Sequence, residues 1–144
     1  MKVIIIIMSA MLFGSTIWLT DFDEAKQQAK EQNHMILLSF SGSDWCAPCI
    51  KMKREIFDAP QFQEFAGANL VLVKADFPRH KKNQLEAKQK EHNEKLAEQF
   101  NPNGKFPLTI LLDSNGKVIR QWDGYSDMSI EEFINELQSS ARGK

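Results

Sequence analysis

Cys46 and Cys49 are the only cysteines in the 144-residue chain, and they stand two residues apart in Trp45-Cys46-Ala47-Pro48-Cys49. An apolar run, Met35 to Phe40, precedes them, and Ile50 to Phe57 follows with a helical pattern. A Cys-x-x-Cys at a strand-to-helix turn is the arrangement of a redox dithiol. At a helix start the first backbone N–H groups are unpaired and the macrodipole is positive, so both favour a thiolate. Lowering a thiol pKa from roughly 8.5 to about 7 takes about 2 kcal/mol, which a helix terminus and a hydrogen bond can supply. Cys46 comes first and is the expected nucleophile. Cys49, one turn further in, is placed to close the disulfide. Pro48 is tolerated because the first helical turn needs no N–H there.

These residues need a scaffold, and the chain is long enough for one domain with a real core. Net charge is −1, which offers no basic footprint for nucleic acid. One cysteine pair cannot staple a small disulfide-rich scaffold. The N-terminus runs from Met1-Lys2 through a nearly pure Ile/Val stretch to Phe13, then to the small residues Gly14, Ser15 and Thr16. That order predicts a signal peptide over 1–16 and a domain over 17–144. An uncleaved anchor is the alternative, since apolar character reaches Leu19. Either way the expected location is periplasmic or otherwise extracytoplasmic, where disulfides persist.

The expected elements are a helix from a Thr20 cap through Gln32, a strand over Met35 to Phe40, a polar turn (Ser41 to Asp44) and the cysteine helix. Asp58-Ala59-Pro60 breaks that helix, with another turn or two over Gln61 to Phe65. Leu70 to Val73 reads as a second strand. The charged stretch 78–99 reads as a solvated surface helix with a thin stripe of Leu85, Lys88, Lys95, Leu96 and Phe100, a partner-binding insert being the minor alternative. Leu108 to Leu112, the Ser114-Asn115-Gly116 turn and Val118 to Gln121 read as a hairpin. Ser129 with Glu132 forms a capping-box pattern before a last helix that turns Ile130, Phe133, Ile134 and Leu137 inward. Strand–helix–strand units imply parallel pairing and the hairpin antiparallel pairing, so the fold class is α/β: a mixed central sheet with helices on both faces.

In this order of elements the chain resembles the thioredoxin superfamily, in particular exported bacterial thioredoxin-like proteins. The resemblance rests on Trp45 to Cys49, on Lys105-Phe106-Pro107 before a strand, on Asp113 to Lys117 between the last strands, and on Ser41 to Asp44 and the insert after Asp76-Phe77-Pro78. It implies that Pro107 is cis and lies against the disulfide, and that Phe106 offers main-chain groups to a substrate peptide. Trp45 would shape the apolar contact surface, with simple packing its ordinary alternative. The family carries a buried acid in the strand before the motif, as proton acceptor for the second cysteine. Here Ser39 takes that place. Asp44 falls in the polar turn, where helix capping is its ordinary role. Lys74 with Asp76 closes the second strand, where the pair could supply charge near the site, a plain surface pair being the ordinary reading. Leu108, with Thr109 next, stands where the family often has Thr.

The resemblance implies thiol–disulfide exchange with protein disulfides, without a cofactor. The Ala47-Pro48 spacer is nearer the Gly-Pro of reducing members than the histidine-containing spacer of oxidants, which points to a reductase fed by a membrane or extracytoplasmic electron donor. The alternatives are an oxidase or isomerase, and a metal (copper) handling module. A closed zinc site wants four ligands, whereas one Cys pair supplies two, and His34, His80 and His92 fall outside the motif. No metal ligand is therefore assigned. Ile50 after Cys49 removes the Cys-x-x-Cys-His pattern of haem attachment. No segment marks an interface, and a monomer is expected.

Overall fold

The computed structural model describes residues 16–143. The targeting segment expected over 1–16 lies outside the described residues, save Thr16, whose backbone N–H donates to Gln63 Oε1 at 3.0 Å. Among the described residues no helix is long and apolar enough to cross a membrane.

The elements are β1 (Trp18–Leu19), α1 (Phe22–Gln32), β2 (Met35–Ser41), α2 (Ala47–Met52), α3 (Pro60–Asn69), β3 (Leu70–Asp76), α4 (Ala87–Phe100), β4 (Leu108–Leu112), β5 (Val118–Asp123) and α5 (Ile130–Arg142). A π-helical turn (Lys53–Phe57) continues α2, and a 3₁₀ turn (Lys81–Asn83) precedes α4. The strands form a five-stranded sheet in the order β1-β3-β2-β4-β5. β1, β3 and β2 run parallel, while β4 is antiparallel to β2 and β5 to β4. This is the expected mixed sheet with helices on both faces.

Alternation along β2 divides the core. Ile36, Leu38 and Phe40 face α1 and α4, packing with Phe22, Ala25, Ala29 and Leu96. Leu37 faces the other way, with Met52, Ile56, Phe62, Phe133 and Leu137 from the α2, α3 and α5 side. Ser39 follows Leu37 at strand spacing and so points toward the cysteine helix. It pairs in register with Lys74 on β3 and Thr109 on β4, which makes one polar row beneath α2.

Several boundaries differ from expectation. Asp21, not Thr20, caps α1, because its carboxylate accepts the N–H groups of Asp23 and Glu24 at 2.8 and 3.0 Å. The apolar stretch reaching Leu19 ends in strand: Trp18 and Leu19 pair with Leu72 and Val73 along the outer edge of β3. α3 runs to Asn69, further than a turn or two, since Phe62 and Ala66 give it a buried stripe. In α4, Lys88 and Lys95 are exposed. The inward side is carried by Asn93 and Leu96, both buried, with Ala97 and Phe100 packed against the core. The α5 capping box is present in both directions, with Phe133 and Leu137 buried and Ile130 and Ile134 half-buried.

Asn93 is polar but satisfied. Its Nδ2 donates to the Asp76 carbonyl at 3.0 Å, and its Oδ1 accepts from Gln89 at 2.8 Å. It docks the charged insert onto the end of β3. Asn93→Ala leaves that carbonyl without its amide donor, and a loss of about 1–3 kcal/mol is expected, read as a lower urea midpoint at unchanged slope.

Candidate functional site

The site is built where β2 leaves the sheet. The Gly42 carbonyl accepts the Cys46 N–H at 2.9 Å, closing the turn that carries the motif. Asp76, at the end of neighbouring β3, receives the Ser43 N–H at 2.9 Å and the Ser43 hydroxyl at 2.5 Å. The Phe77 N–H donates to Ser41 O at 2.9 Å. Trp45 then folds back over Gly42 and donates its indole N–H to Phe77 O at 2.7 Å. A Cβ at position 42 would lie 2.3 Å from the Trp45 ring, so only glycine allows this approach.

Cys46 is the N-cap of α2. Its backbone is extended, with φ −92° and ψ 97°, and its sulfur accepts the Cys49 N–H at 3.3 Å. Pro48 sits in the first turn, where no N–H is required. Cys46 and Cys49 are joined as a disulfide and are only 5% and 4% exposed, while Ala47, Pro48 and the neighbouring Ile50 are exposed. Access to the sulfurs therefore runs along the rim of the helix start.

That rim is aromatic. Trp45 meets Phe106 edge-on at 5.4 Å between ring centroids, and Phe106 meets Phe77 at 5.5 Å. The Phe106–Pro107 bond is cis. Pro107 is buried and shares with Cys49 a cavity of about 120 Å³ that is also lined by Ser39, Ser41, Ser43, Met52, Lys74 and Asp76. The structure thus brings Trp45, Cys46, Cys49, Phe106 and Pro107 together.

Lys74 is exposed and Asp76 half-buried, and both line the cavity at Cys49, which matches the alternative of charge near the site; Asp76 also holds Ser43. One expectation is corrected. Asp44 does not cap the cysteine helix, because the Cys46 sulfur occupies that role. Its carboxylate instead accepts the backbone N–H groups of Arg79 and His80 at 2.9 and 3.0 Å and the Asn83 amide at 2.9 Å. Desolvation opposes ionisation of Asp44, but the Arg79 N–H, the Asn83 amide and the His80 N–H outweigh it and pull the carboxyl down to about 2.

The opposite flank is pinned by α2 and the π-helical turn that continues it. Tyr125 donates to Glu55 at 2.8 Å, and Lys51 pairs with Asp127 at 2.5 Å. Desolvation and the Glu55 carboxylate push the Tyr125 phenol up to about 12. His92 accepts the Phe22 N–H at 3.2 Å, away from the cysteines, and among the described residues no three His, Cys, Asp or Glu side chains converge to hold a metal. Sequence reasoning placed Gly42 and Phe77 in segments that carry the resemblance but gave them no role, and it missed Arg79 and Asn83. The Phe77-Pro78 break directly after a strand was the local signal for the latter two.

A dithiol at a helix start, beside a cis proline on a β1-β3-β2-β4-β5 sheet, defines a thioredoxin-type redox site. Comparison with known proteins agrees. Residues 22–141 match the thioredoxin-like domain family, and the chain belongs to it. It is 32% identical over 121 residues to the disulfide bond reductase DsbH of Chlamydia pneumoniae, covering 84% of this chain and 70% of that protein. It is also 32% identical over 105 residues to the thioredoxin-related protein DsbJ of Chlamydia pneumoniae, covering 73% of this chain but only 29% of DsbJ. A solved structure of a DsbH oxidoreductase superposes with a TM-score of 0.80 at 30% identity, over 91% of this chain and 88% of that one. With its cysteine pair in this setting, the protein is a thiol–disulfide oxidoreductase.

Because the Asp44 carboxyl is lowered by folding, its contribution is complete above the unfolded value of 3.8 and is lost as pH falls through about 2. Wild type is therefore expected to be more stable than Asp44→Ala at neutral pH, with the gap closing as pH drops from about 5 to about 2. Urea midpoints of the two proteins across that range check this.

Proposed function

We propose that the protein reduces disulfides of protein substrates outside the cytoplasm, with Cys46 as nucleophile and Cys49 as resolving cysteine. The observation that carries the assignment of roles is the Cys46 sulfur capping α2 and accepting the Cys49 N–H. Both sulfurs are nearly buried, so position along the helix, with Cys46 at the cap and Cys49 one turn inside, is what distinguishes them.

In the reduced protein, the Cys46 thiolate attacks one sulfur of a substrate disulfide. The substrate S–S bond breaks, a mixed disulfide forms, and the released substrate sulfur takes up a proton. Cys49 then loses its proton and attacks the Cys46 sulfur. The second substrate thiol leaves, and the Cys46–Cys49 disulfide remains, two electrons having passed to the substrate. Trp45 and Phe106 offer the apolar contact surface, and Phe106 main-chain groups receive the peptide in strand-like fashion. Pro107 closes the cavity behind Cys49. Ala47 and Pro48 tune the potential by what they lack: neither can donate a hydrogen bond from its side chain to the thiolate.

That absence supports the reducing direction. Oxidants of this type are strong because their reduced form is stabilised. Here the capping contact to the Cys46 sulfur is one backbone N–H, and the spacer holds no histidine. The name of the DsbH relative, a disulfide bond reductase, supports the same direction. The signal-peptide pattern over 1–16 supports export, and an exported reductase must be recharged by a membrane or extracytoplasmic electron donor.

Cys49→Ser is expected to accumulate substrate disulfides on Cys46, visible as mixed disulfides on non-reducing gels, whereas Cys46→Ser accumulates none. Capture through Cys49 in the Cys46→Ser variant would reverse the roles. In a glutathione redox titration the dithiol is expected to sit near about −270 mV. A midpoint near about −120 mV would reject the reductase direction.

A further inference from the structure

The insert after β3 is more than a solvated helix, because its first turn is fixed against the redox motif. Asp44 holds the backbone of Arg79 and His80 and the Asn83 side chain. The Phe77 carbonyl just before it receives the Trp45 indole N–H. These contacts set the Arg79 guanidinium over the Trp45 ring, with its central carbon 3.7 Å from the ring centroid.

Arg79 therefore caps one end of the aromatic rim formed by Trp45, Phe106 and Phe77. Lys81 and Lys82 follow it in the 3₁₀ turn. All three cations are exposed, and among the described residues none is in an ion pair. The cations across the motif differ: Lys51 is paired with Asp127, Lys53 with Asp58 and Arg54 with Glu55. The carboxylates nearest the turn are occupied, Asp44 by the turn's own backbone and Asp76 by Ser43 and the Phe77 N–H. Asp44 and Asp76 keep their negative charges, but they accept from neutral donors and pair with none of the three cations, so Arg79, Lys81 and Lys82 outnumber them and stay available on one side of the sulfurs.

We infer that the Arg79–Lys82 turn is a docking rim that selects protein substrates carrying acidic side chains beside the reacting disulfide. The inference rests on the thiol–disulfide exchange proposed above. A cation stacked on an aromatic face keeps its outward N–H groups free for a carboxylate, and charges at an interface rim act mainly on encounter rate and partner choice. A stacked, pre-placed guanidinium also loses less rotamer freedom on pairing than a free one.

The test compares reduction of two synthetic peptide disulfides that differ only in having Glu or Lys on both sides of the cysteine. For wild type at low salt, kcat/KM is expected to favour the Glu peptide, with the preference shrinking as salt is raised to about 0.3 M. Arg79→Gln is expected to lower the Glu-to-Lys ratio about threefold, and Lys81→Gln/Lys82→Gln, which leaves the Trp45 contact intact, to lower it as well. Equal rates for both peptides in wild type would overturn the rim while leaving the exchange reaction standing. So would an equal slowing of both peptides by Arg79→Gln, which would place its action on the sulfur or on folding. Exchange with neither peptide would overturn the function and the rim together. Absence of a peptide preference, with binding to phosphatidylglycerol vesicles that the lysine variant loses, would assign the turn to a membrane surface and overturn the peptide reading.

Discussion

The clamp between the ends of β2 and β3 is the constraint on which the site depends. Asp76 receives both the backbone and the hydroxyl of Ser43, and Phe77 is tied to Ser41 and to the Trp45 indole. These contacts lie between strands that already run in parallel register from Met35↔Leu70 to Ser41↔Asp76. The sheet therefore does not merely carry the cysteine helix. It dictates where the chain turns, so the Cys46 N–H meets the Gly42 carbonyl and α2 starts at the sulfur. The absent Cβ at Gly42 belongs to the same constraint, since the indole occupies its place.

Much of this was legible from local patterns. Apolar runs longer than an exposed strand could sustain marked β2, β3 and β4, and the Cys-x-x-Cys spacing marked the start of α2. The Ser129–Glu132 box marked α5 because both partners lie within one turn of chain. What escaped were features defined by distant partners. β1 is two residues long and exists because β3 has an edge to fill. Asn93 is buried because a strand-end carbonyl needs a donor, which no periodicity of hydrophobic residues reports. Asp44 looked like a helix cap because its sequence neighbours are helical. Its partners lie in the insert, at residues 79, 80 and 83.

The charged insert is the largely solvated surface helix its composition implies, yet its position is set by particular contacts. A stretch rich in Lys, Glu and Gln has little apolar surface to bury, so it reads as solvated. In the fold it is attached mainly by polar contacts: Asp44 at its start, Gln89 to the Thr20 carbonyl, and Asn93 to the Asp76 carbonyl. Leu96 and the flank of Phe100 add the apolar part. Such attachment is directional, as buried hydrogen bonds must be met at particular atoms. It can therefore fix the position of a polar segment beside a reactive site where hydrophobic burial alone would fix only its proximity.

The serine at position 39 bears on how protons move. Two acids lie near the cysteines, and both already accept hydrogen bonds. Asp76 is engaged by Ser43 and the Phe77 N–H, and Asp44 is saturated by donors that favour its ionised form. Held down in this way, the Asp44 carboxylate is a weak base. The polar row Lys74–Ser39–Thr109 offers no carboxylate in its place. The cavity beside Cys49, at about 120 Å³, has room for several water molecules and is lined by hydroxyl groups, an ammonium and a carboxylate. In place of a single buried base, the cavity presents Cys49 with a polar lining and room for solvent.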